Sequence, residues 1–288
     1  MSKKIAVVTG ASSGFGKLIA QDLVGAGYRT FGTIRDAHGR NTDAAKALEA
    51  RGVEVVELDV LDQASVDRAA ERILWDAGAV DVLVNNAGTA HNGLLEAFTP
   101  ESFERQLATN VIGPHRVDRA FLPGMRERRS GLVIFISSVV GRFVLPFVGV
   151  YVSSKYALEG MAETLSYEVR PFGIDVAIVE PGAFATEILG KMIQPDDPQR
   201  VEAYGATAKL IEKFAEAVKD AGDPQLVSDA LLDLVRRPAG ARPLRTVLPA
   251  EMPVTQINDA VAPIQRSLIE MFGLGELLPK DREASTVA

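Results

Sequence analysis

The sequence predicts a doubly wound α/β protein in which a parallel sheet of about seven strands carries helices on both faces. Short apolar runs rich in valine and isoleucine alternate with longer segments of helical periodicity. Because strands buried on both faces appear as continuous apolar runs, this alternation indicates right-handed βαβ units. Polar residues directly follow several of these runs, where parallel strands would gather them at one sheet edge. Residues 1–288 contain no evident linker or repeat, so a single domain is predicted.

The composition of the chain narrows its function classes. Hydrophobic residues make up 47% and charged residues 24% of the sequence, as in ordinary globular proteins, and the net charge of -7 argues against nucleic-acid or anionic-membrane partners. Because cysteine is absent and His38, His91 and His115 are scattered, we expect no disulfide and no metal centre. The apolar segment near the amino terminus is too short for a signal peptide or membrane span, which predicts a cytoplasmic protein.

The first strand, predicted over residues 5–8, leads into a glycine-rich turn and then a helix over residues 17–24. Missing Cβ atoms allow backbone to approach a ligand, and the N–H groups and dipole at a helix start favour an anion. The turn is therefore a predicted pyrophosphate site. Its residues are Gly10, Ser12, Ser13, Gly14, Phe15 and Gly16. A tight turn without a chemical role is the alternative, since glycine turns are common.

The second strand is predicted over residues 28–34, and the residue that follows it bears on cofactor choice. In this kind of fold a carboxylate there binds the adenosine ribose, whereas an arginine accommodates a 2′-phosphate. Arg35 occupies this position and favours NADP(H). Asp36 comes one step later and Arg35 could be a solvated residue, so NAD stays open.

Four further strands are predicted over residues 53–58, 80–84, 132–136 and 174–179, with a helix over 63–76. Each strand is followed by residues that would line the same crevice as the glycine turn. These are Asp59 and Val60, then Asn86, Ala87 and Gly88, then Ser138, and finally Pro181, Gly182 and Thr186. The carboxylate of Asp59 or the backbone of its neighbour would meet an adenine edge.

A proline-free helix predicted over residues 150–170 carries Tyr151 and Lys155 one turn apart on one face. A nearby ammonium favours the phenolate, so we expect Lys155 to lower the pKa of Tyr151 from its usual value near about 10. The hydroxyl of Ser138 would bind a reacting oxygen beside this pair. The alternative for the pair alone is a half-buried aromatic ring beside a solvated lysine.

A helical pattern from Pro100 to Met125 carries Asn110, an amide that on its own would simply satisfy local backbone groups. Residues 187–225 mix charge, proline and short amphipathic pieces beyond the strand ends, which predicts a mobile substrate lid. Helices over 224–236 and 258–272 and a last strand over 245–248 complete the fold. We expect the polar tail, residues 280–288, to be frayed.

Taken together, these motifs resemble the short-chain dehydrogenase/reductase family over roughly the first 190 residues, and imply its Rossmann-type fold. The motifs stand in the family's order and at its spacing, with no departure at a catalytic position. They are Thr9-Gly10-x-x-x-Gly14-x-Gly16, Asp59, Asn85-Asn86-Ala87-Gly88, Asn110, Ser138, Tyr151-x-x-x-Lys155 and Pro181-Gly182. The run from Gly32 to Asp36 is similar to NADP-preferring members that act on 17β-hydroxysteroids or retinol.

The resemblance implies a role for each catalytic residue. Tyr151 would be the acid/base, and Lys155 would lower its pKa and hold the nicotinamide ribose. Ser138 would bind the substrate oxygen, Asn110 would organise a water-linked proton path, and Thr186 would lie near the carboxamide. The resemblance also implies a homodimer or homotetramer, with the helices of Asn110 and Tyr151 as contact faces.

The expected reaction is hydride transfer between NADP(H) and a small-molecule alcohol, ketone or aldehyde. Residues 142–148 are apolar for a loop and, with Phe184, would line a pocket for a bulky hydrophobic substrate. Contact with another subunit or the core is the alternative. A non-catalytic NADP-binding sensor or scaffold is the rival reading, while a nucleotide-sugar epimerase is disfavoured by the glycine spacing.

Overall fold

The structure is a computed structural model that describes residues 3–217 and 221–279. Seven strands form one parallel sheet in the order β3-β2-β1-β4-β5-β6-β7. The strands are β1 (Ile5–Thr9), β2 (Arg29–Ile34), β3 (Glu54–Glu57), β4 (Val82–Asn85), β5 (Gly131–Ile136), β6 (Ile174–Pro181) and β7 (Arg245–Leu248). The predicted parallel sheet of about seven strands is confirmed.

Helices cover both faces of this sheet. They are α1 (Gly14–Gly25), α2 (Thr42–Glu49), α3 (Gln63–Ala77), α4 (Pro100–Leu107), α5 (Gly113–Arg128), α6 (Gly149–Val169), α7 (Glu187–Gly190), α8 (Pro198–Ala203), α9 (Leu210–Ala217), α10 (Gln225–Arg236) and α11 (Val254–Met271). One core packs the sheet against α3, α5 and α6, and the other packs it against α1, α2 and α10. The predicted tail, residues 280–288, lies outside the described residues.

The helix predicted from Pro100 to Met125 is interrupted. A π-helical turn, Ala108–Ile112, separates α4 from α5. Proline has no N–H, so Pro114 cannot donate the α-helical bond to the carbonyl of Asn110. This proline was the sequence signal for the interruption. The wider turn places Asn110 toward the protein interior, where its side chain is buried.

The remaining elements begin close to their predicted positions. The glycine turn passes into α1 at Gly14, three residues before the predicted start, and α11 begins at Val254, four residues before its predicted start. Within the described ranges, no helix is both long enough and apolar enough to cross a membrane. The carboxyl ends of the parallel strands share one edge, and this edge carries the residues predicted to act together.

Candidate active site

A cleft of about 740 Å³ lies at the carboxyl edge of the sheet, next to β1. Because β1 pairs with β2 on one side and β4 on the other, the strand order reverses here, the usual ligand position in such a sheet. All of the predicted site residues except Gly16 and Asn110 line it. The lining residues are Gly10, Ser12, Ser13, Gly14, Phe15, Arg35, Asp59, Val60, Asn86, Ala87, Gly88, Ser138, Tyr151, Lys155, Pro181, Gly182 and Thr186.

The turn after β1 needs two of its glycines for different reasons. Gly10 has a φ of +67°, and a Cβ there would lie 2.8 Å from Cα of Ala87. The turn and the loop after β4 therefore touch through their backbones. Gly16 lies within α1, where a Cβ would collide with the carbonyl oxygen of Gly10. Gly16 does not line the cleft; its missing side chain lets α1 pack closely against the backbone of the turn.

Hydrogen bonds from Thr9 hold the two loops together. Its hydroxyl oxygen accepts the N–H groups of Asn86 and Ala87, each at 3.0 Å, and donates to the carbonyl of Val84 at 3.2 Å. The amide of Asn86 donates in turn to the carbonyl of Thr9 at 2.8 Å. These bonds give the loop after β4 a fixed backbone where it faces the cleft.

An acidic side chain contacts the start of α1. The N–H of Gly14 donates to a carboxylate oxygen of Glu187 at 2.9 Å, and Thr186 packs beside the same glycine. Free N–H groups and the dipole at a helix start favour such an anion. A pyrophosphate bound to this N–H would displace Glu187, a residue that the sequence analysis did not identify.

Two arginines flank the cleft after β2. Arg35 lines it with its guanidinium 3.9 Å from the carboxylate of Asp59, and Arg40 lines it nearby. Asp36 has a left-handed backbone conformation with a φ of +53°, and its carboxylate accepts the N–H of Arg40 at 3.2 Å. Its carboxylate also pairs with the Arg40 guanidinium at 3.5 Å. Arg35 was predicted from the sequence and Arg40 was not, although a second basic residue so close to the strand end was a usable signal.

Ser138, Tyr151 and Lys155 meet in the cleft from two elements. Ser138 lies two residues beyond the end of β5, and its hydroxyl donates to the carbonyl of Pro181 at 3.2 Å. Tyr151 and Lys155 project from the first turns of α6 on the same side. The Lys155 ammonium lies 5.6 Å from the centre of the Tyr151 ring and donates to the carbonyl of Ile136 at 2.8 Å.

Burial governs the protonation of these groups. It raises the pKa of Tyr151 to about 12, while a hydrogen bond with Ser138 acts in the opposite direction. It lowers the pKa of Lys155 to about 8, against the opposing charge of Glu159. The expectation of a Tyr151 pKa below about 10 is not met, because burial outweighs the lowering contact from Ser138. Tyr151 therefore carries its proton at neutral pH, as a proton donor requires.

Asn110 lies below the cleft wall. Its amide accepts the N–H of Thr89 at 2.9 Å and donates to the Thr89 carbonyl and to the Ser154 hydroxyl, both at 3.0 Å. Ser154 donates to the carbonyl of Tyr151 at 2.7 Å. Asn110 thus fixes the loop after β4 to the start of α6, in agreement with the open alternative that this amide satisfies backbone groups.

Two buried residues that the sequence analysis missed extend this network. The Gln106 amide donates to the Thr89 carbonyl at 2.7 Å and to the Ser154 hydroxyl at 3.2 Å, and its oxygen bonds the Nδ1 of His91. Burial lowers the pKa of His91, so the ring is neutral. The Gln106 oxygen only accepts, so Nδ1 carries the proton and Nε2 accepts from Ser102 at 3.2 Å. The spacing of four residues between Gln106 and Asn110 was the one available signal.

Apolar side chains line the cleft beyond Tyr151. Within the predicted loop, Phe143, Leu145 and Val148 line the cleft, whereas the side chain of Val144 is exposed. Phe184 also lines the cleft and packs edge-on against another ring, that of Phe15, with 5.8 Å between centres. One side of the loop therefore lines the cleft and the other is exposed to solvent, so part of the predicted apolar wall is present.

Comparison with known proteins decides the family. Residues 4–197 match the short chain dehydrogenase family. The chain belongs to this family. It is 42% identical over 218 residues to a 3-ketodihydrosphingosine reductase from Bacteroides thetaiotaomicron, covering 74% of this chain and 77% of that protein. It is 35% identical over 250 residues to 17-beta-hydroxysteroid dehydrogenase type 1 from Homo sapiens, covering 83% and 76% respectively.

Solved structures agree with this short-chain dehydrogenase assignment. A short-chain dehydrogenase from Streptomyces avermitilis is 35% identical, with a TM-score of 0.78 over 95% of this chain and 97% of that one. An alcohol dehydrogenase from Thermococcus sibiricus, complexed with 5-hydroxy-NADP, is 29% identical, with a TM-score of 0.71 over 88% and 99%. The protein is thus an oxidoreductase of the class that acts on alcohol and ketone groups.

Proposed function

We propose that the protein is an NADP(H)-dependent oxidoreductase that transfers a hydride between the nicotinamide and a secondary alcohol, ketone or aldehyde. The observation that carries this proposal is the convergence of Ser138, Tyr151 and Lys155 in a cleft whose other end is the glycine turn. The cofactor, when bound, supplies the hydride. The chain has to hold the cofactor, orient the carbonyl group and move one proton.

The residues present fit such a cofactor. Gly10 keeps the turn open to close backbone approach, and the N–H of Gly14 already contacts a carboxylate, which supports an anion site at this position. Asp59 would meet the adenosine, and Thr186 would lie near the carboxamide. The loop of Asn86, Ala87 and Gly88 and the turn of Pro181 and Gly182 would form the remaining walls.

In the direction of reduction, Tyr151 would give its proton to the carbonyl oxygen of the substrate. Ser138 would donate a hydrogen bond to the same oxygen and hold the carbonyl within reach of the phenol. The ammonium of Lys155 would stabilise the phenolate that remains, because a positive charge favours the ionised phenol in a site shielded from water. Oxidation of an alcohol would reverse these proton movements.

The preference for NADP(H) over NAD(H) rests on Arg35 and Arg40, which both line the adenosine end of the cleft. Their guanidinium groups suit a 2′-phosphate, while Asp36 is directed to its own loop. We expect Arg35→Ala to weaken NADPH binding about tenfold to a hundredfold and NADH binding less than about twofold. Titration of both cofactors, with exposed Arg51→Ala as the control, tests this. Equal losses for both cofactors would contradict the preference.

The substrate is proposed to be bulky and hydrophobic, because Phe143, Leu145 and Val148 line the cleft beside Tyr151. The relatives named for sphingoid and steroid substrates agree with this class. A steady-state screen of steroid, retinoid, long-chain and small polar carbonyls with NADPH and NADH would test it. Turnover confined to sugars or other small polar carbonyls would rule out the hydrophobic class.

We propose further that the described part of residues 187–225, which leaves out 218–220, covers the substrate end of the cleft. The N–H of Ile193 donates to the carbonyl of Ala90 at 2.9 Å, and the Ile193 carbonyl accepts the N–H of Asn92 at 3.0 Å. Hydrogen exchange in this segment should slow when NADPH and substrate bind, and unchanged exchange would contradict a cover. The homodimer or homotetramer stays a prediction that sedimentation of the purified protein can test.

A further inference from the structure

A cluster of charged side chains lies between the cleft and a second cavity of about 710 Å³, enclosed by α6, α10, β7 and α11. At its centre is Arg245, the first residue of β7. Its guanidinium lies 3.0 Å from Glu159, 2.7 Å from Glu163 and 3.2 Å from Glu180. The Glu159 and Glu180 side chains are only 3% and 0% exposed. Buried carboxylates are tolerated when cations pair with them in this way.

A second arginine reaches the cluster from the loop after β5. The Nε of Arg142 donates to Asn258 on α11 at 2.7 Å, and the Asn258 amide donates to Glu180 at 2.7 Å. Burial raises the pKa of Glu159 and raises that of Glu180 to about 7, and the positive charges of Arg245 and Arg142 oppose this rise. The C-terminal helix is thereby tied to the end of β6.

Lys155 and Glu159 are both buried and lie one turn apart on α6, which places their side chains on the same side of the helix. The loop after β5 packs closely against Glu159 at Gly141. A Cβ added to this glycine would lie 2.9 Å from the Glu159 Cγ and 3.0 Å from the Ser137 hydroxyl, so no side chain fits between them. Glu159 is therefore confined between this loop and Arg245. When Lys155 is protonated and all three glutamates are ionised, the cluster holds three cations and three carboxylates.

We propose that Glu159, fixed by Arg245, is a positioning residue that keeps Lys155 protonated in the active site. The inference rests on the proposed function, in which the Lys155 ammonium supports the Tyr151 phenolate. In this proposal the ionic cluster contributes to the reaction as well as to the stability of the fold. Glu159 itself acts only through Lys155.

Electrostatics gives the direction of the effect. Burial disfavours the charged form of Lys155, and the carboxylate of Glu159 opposes it. Without this carboxylate, Lys155 would lose its proton at a lower pH, and Tyr151 would lose its cationic neighbour. Of the other titratable or charged groups, Tyr151 lies nearest, with its ring centre 5.6 Å from the Lys155 ammonium, and the cluster adds Glu163 on α6, Arg142 after β5, Glu180 on β6 and Arg245 on β7.

The test is the pH profile of kcat/KM for carbonyl reduction in Glu159→Gln, with Glu163→Gln as the matched control. Both carboxylates pair with Arg245, but Glu163 lies a further turn away and also accepts the Tyr167 hydroxyl. In Glu159→Gln, the alkaline limb of this profile, where kcat/KM falls as the pH rises, should move to lower pH by about one unit or more. It should move by less than about a third of that in the control.

Rescue and direct titration separate this role from a structural one. Glu159→Asp keeps the charge, so it should restore most of the alkaline limb. Glu159→Met, which also removes the charge, replaces Glu159→Gln if that variant does not fold. NMR titration of lysine labelled at Cε, with Lys155→Met to assign the signal, should show the same lowered pKa in Glu159→Gln. A loss of thermal stability with an unchanged limb and an unchanged Lys155 titration would overturn the proposal.

The two kinds of failure are distinguishable. The NMR titration requires no turnover, so an inactive wild-type protein would contradict the proposed function and leave the titration readable. Equal shifts in Glu159→Gln and Glu163→Gln would contradict the specific role of Glu159, whatever the activity.

Discussion

Two buried polar networks meet at α6, and they are built from different groups. On the side of the π turn, amides and hydroxyls predominate, with Asn110 and Gln106 each donating to the Ser154 hydroxyl and to the Thr89 carbonyl. On the side of β7, the groups are ionic, with Glu159 and Arg245 at the centre. The first network holds a neutral histidine, whereas the second holds groups whose pKa values depend on their neighbours.

The difference indicates a division of tasks. A fully hydrogen-bonded neutral network fixes geometry and changes little with pH, because none of its members needs to gain or lose a proton. A balanced ionic network responds to every change of charge within it, since charges interact strongly at low dielectric. We therefore expect the neutral network to position Tyr151 and the ionic one to set the charge of Lys155.

The largest effect is expected where the two networks meet. Tyr151→Phe removes the proposed proton donor and keeps the ring, so kcat should fall about a thousandfold or more while NADPH affinity changes less than about twofold. Single-turnover reduction and cofactor titration would measure the two quantities. Near wild-type turnover in this variant would contradict the acid/base role.

Breaking the neutral network should reduce stability and rate without moving the pH profile. Gln106→Leu leaves the Thr89 carbonyl and the Ser154 hydroxyl without their Gln106 partner, which should lower the free energy of unfolding by about 1–3 kcal/mol. We expect kcat to fall several-fold with the alkaline limb in place. Chemical denaturation and a pH profile would test this. If the alkaline limb of Gln106→Leu shifted as far as that of Glu159→Gln, the proposed division of tasks between the two networks would be contradicted.

A third buried site sharpens the comparison, because its carboxylate pairs with an amide instead of a cation. Asn85 donates to Asp118 at 2.7 Å, and burial raises the Asp118 pKa to about 7. A raised pKa stabilises the fold at acid pH, and this contribution is lost as pH rises through about 7. Asp118→Asn should therefore stabilise the protein at pH 8 by roughly 3 kcal/mol and much less near pH 4. Thermal unfolding at both values would show this, and an equal effect at each would contradict the buried charge.

The parts of the site that could be predicted from the sequence are those fixed by local pattern. A strand followed by Gly10 and Gly14, and a helix with Tyr151 and Lys155 at a spacing of four, place their groups through regular geometry. Strand ends gather at one edge of a parallel sheet, so Ser138 and Asn86 could be placed beside them as well.

The missed parts depend on distant pairing. Arg245 meets Glu159 across 86 positions, and Gln106 meets Ser154 across 48. A glutamate or glutamine on an amphipathic helix looks like a solvated residue until the packing of another element covers it. The pKa of Tyr151 was misjudged for the same reason, since its burial is a property of the assembled cleft.

The central claim is that Tyr151, between Ser138 and Lys155, protonates a carbonyl oxygen as hydride arrives from the cofactor. The most direct test is reduction of a hydrophobic ketone with NADPH deuterated at the transferred C4 position, in wild-type protein and in Tyr151→Phe. The account predicts alcohol with deuterium at the carbinol carbon from the wild type and almost none from the variant. Equal deuterium transfer by both proteins, or none by the wild type with any carbonyl, would contradict it.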